Sequence, residues 1–144
     1  MLPDKYVYNS IADHAPQLRH TSSSVLRERD KNKADLQSLI LQSSIFYAIF
    51  TIDLDGKITS WNSGSRYMFG FAADEILGKD AAVLFTPEDR EVGIPLEEIN
   101  TALREGRGID ERWHVRKDGR RFYAEGLLMP LQERGRPLGF LKIE

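Results

Sequence analysis

The chain contains no cysteine. That one absence excludes disulfides, thiolate metal sites and cysteine nucleophiles together, and it fits a reducing compartment, so a cytoplasmic location is expected. No apolar run approaches the roughly 20 residues needed to span a bilayer. Met1–Lys5 lacks the apolar core of a signal peptide. An excess of one charge is missing too: 20 Lys and Arg against 22 Asp and Glu leave a net charge of −2. Near-zero charge gives no electrostatic reason to expect nucleic acid or an acidic membrane as partner. Only three histidines occur, scattered at His14, His20 and His114. Neither they nor the dispersed glycines make a metal-ligand spacing or a phosphate-binding loop, and no serine stands in a nucleophile motif. The acids Asp53, Asp55, Asp74, Glu75, Glu88 and Asp89 fall in turns or helix starts, where carboxylates are expected for local reasons. No catalytic residue and no metal site is therefore expected.

What is present is enough chain, 144 residues, for one domain and an extension. Residues 1–20 show no sustained period and read as a flexible lead-in. Residues 21–44 open on a run of capping Ser and Thr and contain no Gly or Pro, which predicts a helix of about five turns. Leu36, Leu39 and Ile40 form a short apolar stripe on it, while Arg27–Asp35 is almost wholly polar. The stripe is too brief to require a coiled coil.

From residue 46 the pattern changes. Phe46–Ile52 is apolar apart from Thr51 and reads as a strand. Asp53 to Lys57 forms a tight turn, Ile58–Trp61 returns, and Asn62 caps a helix that turns Tyr67, Met68, Phe69 and Phe71 inward. Thr86-Pro87-Glu88-Asp89 is a helix start, with Thr86 as cap and Pro87 at the first helical position. A further helix runs from Pro95 to Gly106, with Leu96, Ile99, Ala102 and Leu103 on one face and Glu97, Glu98, Arg104 and Glu105 toward water. Ile109–Arg116 alternates; Ile109, Glu111, Trp113 and Val115 share one face, Asp110, Arg112, His114 and Arg116 the other. Lys117-Asp118-Gly119-Arg120 is an Asp-Gly hairpin turn. Arg121–Leu131 and Leu138–Ile143 complete a meander. The basic run Arg116–Arg121 reads as the solvated tip of that hairpin.

The ordered set Asp53, Gly56, Asn62, Phe69-Gly70-Phe71, Glu75 and Gly78-Lys79, closed by Asp118-Gly119 and Gly139-Phe140, resembles the PAS domain of signalling proteins over residues 45–144. Ala72 departs from the pattern, standing where that family usually has a capping Ser or Thr, a loss of about 0.5–2 kcal/mol locally. The resemblance implies an α+β fold: a five-stranded antiparallel sheet with short helices on one face, preceded by the N-terminal helix. It also implies a regulatory rather than enzymatic input domain. Such a domain would be dimeric through Leu36, Leu39 and Ile40, and would control an output domain in cis, such as a histidine kinase. Because relatives usually continue past the last strand, the chain reads as an excised fragment. A ligand cavity, if present, would be lined from Phe50, Ile52, Met68, Phe69, Leu84, Ile99, Leu103, Trp113, Val115, Leu128 and Phe140. The plainer explanation of each of these is core packing, so a ligand-free protein–protein interaction module is the alternative. A cysteinyl flavin adduct of the light-sensing type is excluded by the absence of cysteine. A haem sensor would commonly use a histidine on the 95–106 helix, which has none. His114, on the face opposite Trp113, is expected to be exposed or to face a partner. Non-covalent flavin stays open, and no cofactor is the expected state.

Overall fold

The computed structural model describes residues 22–144, so the expected lead-in over 1–20 lies outside the described residues. The chain divides into two units at residue 34, and helix α1 (Ser22–Ser43) runs across the division. The second unit holds the sheet and its covering helices. Strands β1 (Ile49–Ile52) and β2 (Ile58–Trp61) are followed by helices α2 (Ser63–Phe69), α3 (Ala73–Ile76), α4 (Pro87–Glu91) and α5 (Ile94–Glu105). Then come strands β3 (Gly108–Val115), β4 (Arg121–Glu133) and β5 (Arg136–Ile143). All pairings are antiparallel in the order β2-β1-β5-β4-β3. The fold class expected from the residues is the one observed.

Local chemistry accounts for most element boundaries. In the first turn the Asp53 carboxylate accepts from the Asp55 and Lys57 amides, both at 2.9 Å, and Gly56 takes a left-handed φ of 80°. The Asp118 side chain does the same for Arg120 N in the β3–β4 hairpin. Thr86 caps α4 with Pro87 at its start, and the hydroxyl accepts from Asp89 N. At α3 the missing cap on Ala72 is half replaced: the Glu75 carboxylate reaches back to Ala72 N at 2.8 Å. That reciprocal half of a capping box satisfies one of the helix's free amides.

Asn62 is the joint of the domain. Its Oδ1 accepts from Ser65 N, the N-terminal cap of α2, and from Ile49 N of β1. Its Nδ2 donates toward the carbonyls of Leu41, Ser44 and Tyr47 at 3.0–3.2 Å. One buried amide therefore closes the end of α1 and opens α2. Gly64 permits the approach: a Cβ there would lie 1.9 Å from Tyr47 O.

The apolar core lies between the sheet and the helices, built on Phe50, Ile58, Phe69, Ile76, Leu84 and Phe140. Phe69 is its centre, ringed by Phe50, Trp61, Phe122 and His114 at centroid distances of 5.2–6.2 Å. The inward turn expected of Tyr67 is not found; it is 77% exposed. In a helix of seven residues one stripe faces the sheet, and Ser65 and Phe69, four apart, occupy it. The strand expected from Phe46 begins instead at Ile49, with Phe46 and Tyr47 exposed.

Candidate functional site

The phase of β3 is the opposite of the one expected. Trp113 is 54% exposed and His114 1%. Ile109, Glu111 and Trp113 lie on the outer face of the sheet, where Trp113 packs edge-on against Tyr123 of β4 at 5.7 Å. Asp110 and His114 point inward and are fully buried. The same exchange occurs on α5: Glu98, expected in water, is 6% exposed, whereas Leu96 and Leu103 are solvent-facing. Lys142 and Glu144 complete the inversion from β5 and its end.

These inward groups form one cluster. Lys142 Nζ donates to Glu98 Oε1 and to Asp110 Oδ2. His114 Nε2 lies 2.9 Å from Asp110 Oδ2, and its Nδ1 lies 3.1 Å from the Leu84 carbonyl. Both ring nitrogens thus face acceptors, and both bonds exist together only in the imidazolium, where each nitrogen carries hydrogen. The His114 pKa is raised accordingly: burial opposes the charge, and the Asp110 hydrogen bond with the charges of Glu144 and Asp110 outweighs it. Asp110 is driven well below the usual carboxylate range despite its burial, because His114 and Lys142 both bond to it. At the rim Arg112 pairs with Asp110 and, at 3.8 Å, with Asp89 of α4.

Glu144 stands differently. Its Oε1 is 3.4 Å from both His114 Nε2 and Lys142 Nζ, yet neither carboxylate oxygen receives a directed hydrogen bond. Glu98 Oε2 is likewise buried without a donor. Burial pushes the Glu144 pKa up to about 7, with the neighbouring Asp110 carboxylate adding to the rise and His114 and Lys142 opposing it. Burial also raises Glu98, against the pull of Lys142. Two strand glycines make room for these side chains. A Cβ on Gly126 would meet Glu144 Cγ at 2.6 Å, and one on Gly108 would meet Glu98 Cγ at 3.1 Å.

Glu98, His114, Lys142 and Glu144 of the cluster also border a partly enclosed, mostly apolar cavity of about 40 Å³. Of the eleven lining residues expected, Phe50, Ile52, Leu84, Ile99 and Leu128 do border it. Phe69 and Phe140 are buried core away from its wall, and Met68 packs against that core. Leu103 and Trp113 are exposed, and Val115 is half-buried and absent from the wall. Glu98, His114, Lys142 and Glu144 line it and were not foreseen. The alternation Asp110, Arg112, His114 beside Lys142 and Glu144, with glycines inside strands, was the available signal: strand glycines mark close approach. Asp110, His114 and Glu144 bring ligand atoms within 4.8 Å of one another. A divalent ion there would have to displace the Lys142 ammonium, which already holds Asp110. Leu36, Leu39 and Ile40, expected to pair two copies, are all exposed on α1.

A family model described as the PAS fold matches residues 37–143, and the chain belongs to that family. "Two-component system protein A" of Emericella nidulans is 34% identical over 127 residues, covering 88% of this chain. The chain spans only 19% of that relative's length. Among solved structures, the PAS domain of a Colwellia psychrerythraea protein is 28% identical with a TM-score of 0.67, covering 83% of this chain and 93% of that one. A PAS domain from a two-component sensor histidine kinase matches at 14% identity and TM-score 0.65, covering 80% and 97% respectively. Among the described residues, no helix is long and apolar enough to cross a membrane.

Proposed function

We propose that this chain is the sensory input of a two-component signalling protein. It binds a small molecule in the cavity between α5 and the sheet and passes occupancy to an output domain, a histidine kinase. The carrying observation is the cavity itself, apolar along Phe50, Ile52, Leu84 and Leu128 and bordered by Glu98 and Glu144, whose side chains keep buried oxygens without donors. A packed core built only for stability leaves few such groups. The two-component relative, of which this domain would be one part, supports the signalling role. A volume of about 40 Å³ supports a ligand of a few atoms rather than haem or flavin, which fill pockets on the order of several hundred Å³. Such a ligand acts by differential affinity for two arrangements of the domain.

Pairing of two copies along α1 completes the reading, because Leu36, Leu39 and Ile40 are exposed on it. Native mass spectrometry of the purified chain tests both halves. A retained small molecule on a dimer is the expected result. A dimer that survives the double change Leu36→Glu, Leu39→Glu removes α1 from its role.

A second reading has its own observation. Ile109, Trp113, Tyr123 and Leu127 leave an apolar strip on the outer face of the sheet. A ligand-free docking module would use that strip and keep the cavity filled with water. Indifference of the chain to small-molecule libraries, together with dimers abolished by Trp113→Ala, favours it.

A further inference from the structure

The basic run Arg116–Arg121 at the β3–β4 hairpin carries four cations, and three of them are already paired. Lys117 bonds Glu75, Arg120 lies 2.9 Å from Asp118, and Arg121 lies 2.9 Å from Glu88. Arg116 is the exception. Among the described residues its guanidinium has no hydrogen bond and no ion pair, and its Nε is buried without an acceptor. Asp118, the one acid in the run, feels the Arg116 charge through space but is bonded to Arg120.

Arg116 is nonetheless seated. The side chain is half-buried and its Nε is enclosed by protein, which leaves the two Nη groups as the open end. It forms one wall of an open groove of about 240 Å³, with Ile45, Phe46, Tyr67, Met68 and Phe122 as the others. Phe46 is 83% exposed and Tyr67 is exposed beside it, and both stand on fastened backbone. The Ser44 and Tyr47 carbonyls on either side of Phe46 accept from the Asn62 amide, and the same side chain caps the helix that carries Tyr67. Aromatic rings and an arginine already held in position lose little freedom on binding, and these are the residue types that carry most of the energy at protein interfaces.

We propose that this groove docks a segment of another protein that carries one carboxylate beside an aromatic or aliphatic side chain. The carboxylate meets the Arg116 Nη groups, and the apolar side chain lies among Phe46, Tyr67 and Phe122. Charge decides the occupant. A nucleic acid or an anionic membrane is held by several cations at once, and the other three of this run are engaged. One open guanidinium suits one carboxylate, which it takes through two parallel hydrogen bonds. A wholly apolar partner would cover the guanidinium and leave it without an acceptor, which is costly. The groove shares no lining residue with the interior cavity, so docking neither requires nor excludes a small molecule there.

Selection of a phage-displayed library of random dodecapeptides on the full chain, followed by titration of the recovered peptides as synthetic probes, tests this. The expected peptides share an Asp or Glu adjacent to an aromatic or aliphatic residue. Arg116→Met should weaken their binding about tenfold or more, and so should changing the peptide's own acid to its amide. Tyr67→Ser should weaken it as well, whereas Arg120→Gln should leave it unchanged; both side chains are exposed, so these variants keep the fold. The amide peptide leaves the protein untouched, and equal binding of acid and amide forms overturns the proposal. Recovery of no peptide, or of peptides without an acid, overturns it too, as does binding that survives Arg116→Met. Attachment of the chain to vesicles of phosphatidylserine and phosphatidylcholine, lost with Arg116→Met, would give the groove to a membrane instead.

Discussion

The two halves of the interior are built on opposite principles. Around Phe69 the contacts are apolar and aromatic, with Phe50, Ile58, Ile76 and Phe140 closing on one another. Some residues away, between β3, β5 and α5, the same sheet buries two bases and three acids. The first region gains free energy simply by leaving water, roughly 25 cal/mol per Å² of apolar surface. The second has to recover a large desolvation cost through pairing, and groups left unpaired there are expensive. A single fold thus carries one region whose stability is indifferent to protons and another whose stability depends on them.

The largest expected effect separates the halves by deletion. Phe69→Ala should lower stability by about 3–5 kcal/mol, from lost burial and the cavity left behind, equally at acid and neutral pH. Denaturant titrations at two pH values check this, and a loss that varied with pH would break the contrast. Lys142→Met removes a buried cation bonded to Asp110 and Glu98. It should cost about 3 kcal/mol, with a loss that shrinks in acid as the stranded carboxylates take up protons. A loss as pH-independent as that of Phe69→Ala would erase the distinction.

Next comes pH on the unaltered chain. Glu144 has a folded pKa of about 7 against an ordinary 4.5. A carboxyl raised on folding binds its proton more tightly in the native state, so stability rises as pH falls from about 7 to about 4.5. His114 and Glu98, both raised, act in the same direction. Asp110, depressed, contributes in full above its ordinary value near 3.8 and begins to lose its share only below that. Melting temperature should therefore increase from about pH 8 to about pH 5, by the equivalent of about 2–3 kcal/mol. Glu144→Gln should flatten most of that slope. The smallest effect is Trp113→Ala, which should cost no more than about 1 kcal/mol because the ring sits outside against Tyr123. A core-sized loss would return Trp113 to the interior.

The sequence was most readable where local chemistry decides. The Asp53 turn, the Asp118-Gly119 hairpin, the Thr86-Pro87 start and the Asn62 cap each depend on residues a few positions apart, and each is found where expected. The strand order was not read from the sequence, since no local pattern places β5 between β1 and β4. The interior was half readable. Apolar residues announce a buried face, and the cavity wall at Phe50, Ile52, Leu84, Ile99 and Leu128 follows from them. On β3 that rule pointed the wrong way. Trp113 and Ile109 are the more apolar side, yet Asp110 and His114 go inside because they bond each other and because further partners arrive from Lys142 of β5 and the Leu84 carbonyl. Those further partners lie 32 and 30 residues from the groups they satisfy. Alternation identifies two faces; which one is buried is decided by groups elsewhere in the chain.

Asn62 has a mechanical consequence. Its amide carries two hydrogens, and three carbonyls, those of Leu41, Ser44 and Tyr47, compete for them. One acceptor is always sharing, so a small rotation of the last turn of α1 trades one partner for another at little net loss. The attachment behaves as a swivel: firm against being pulled away, yielding to a twist, and so suited to pass torque across the junction.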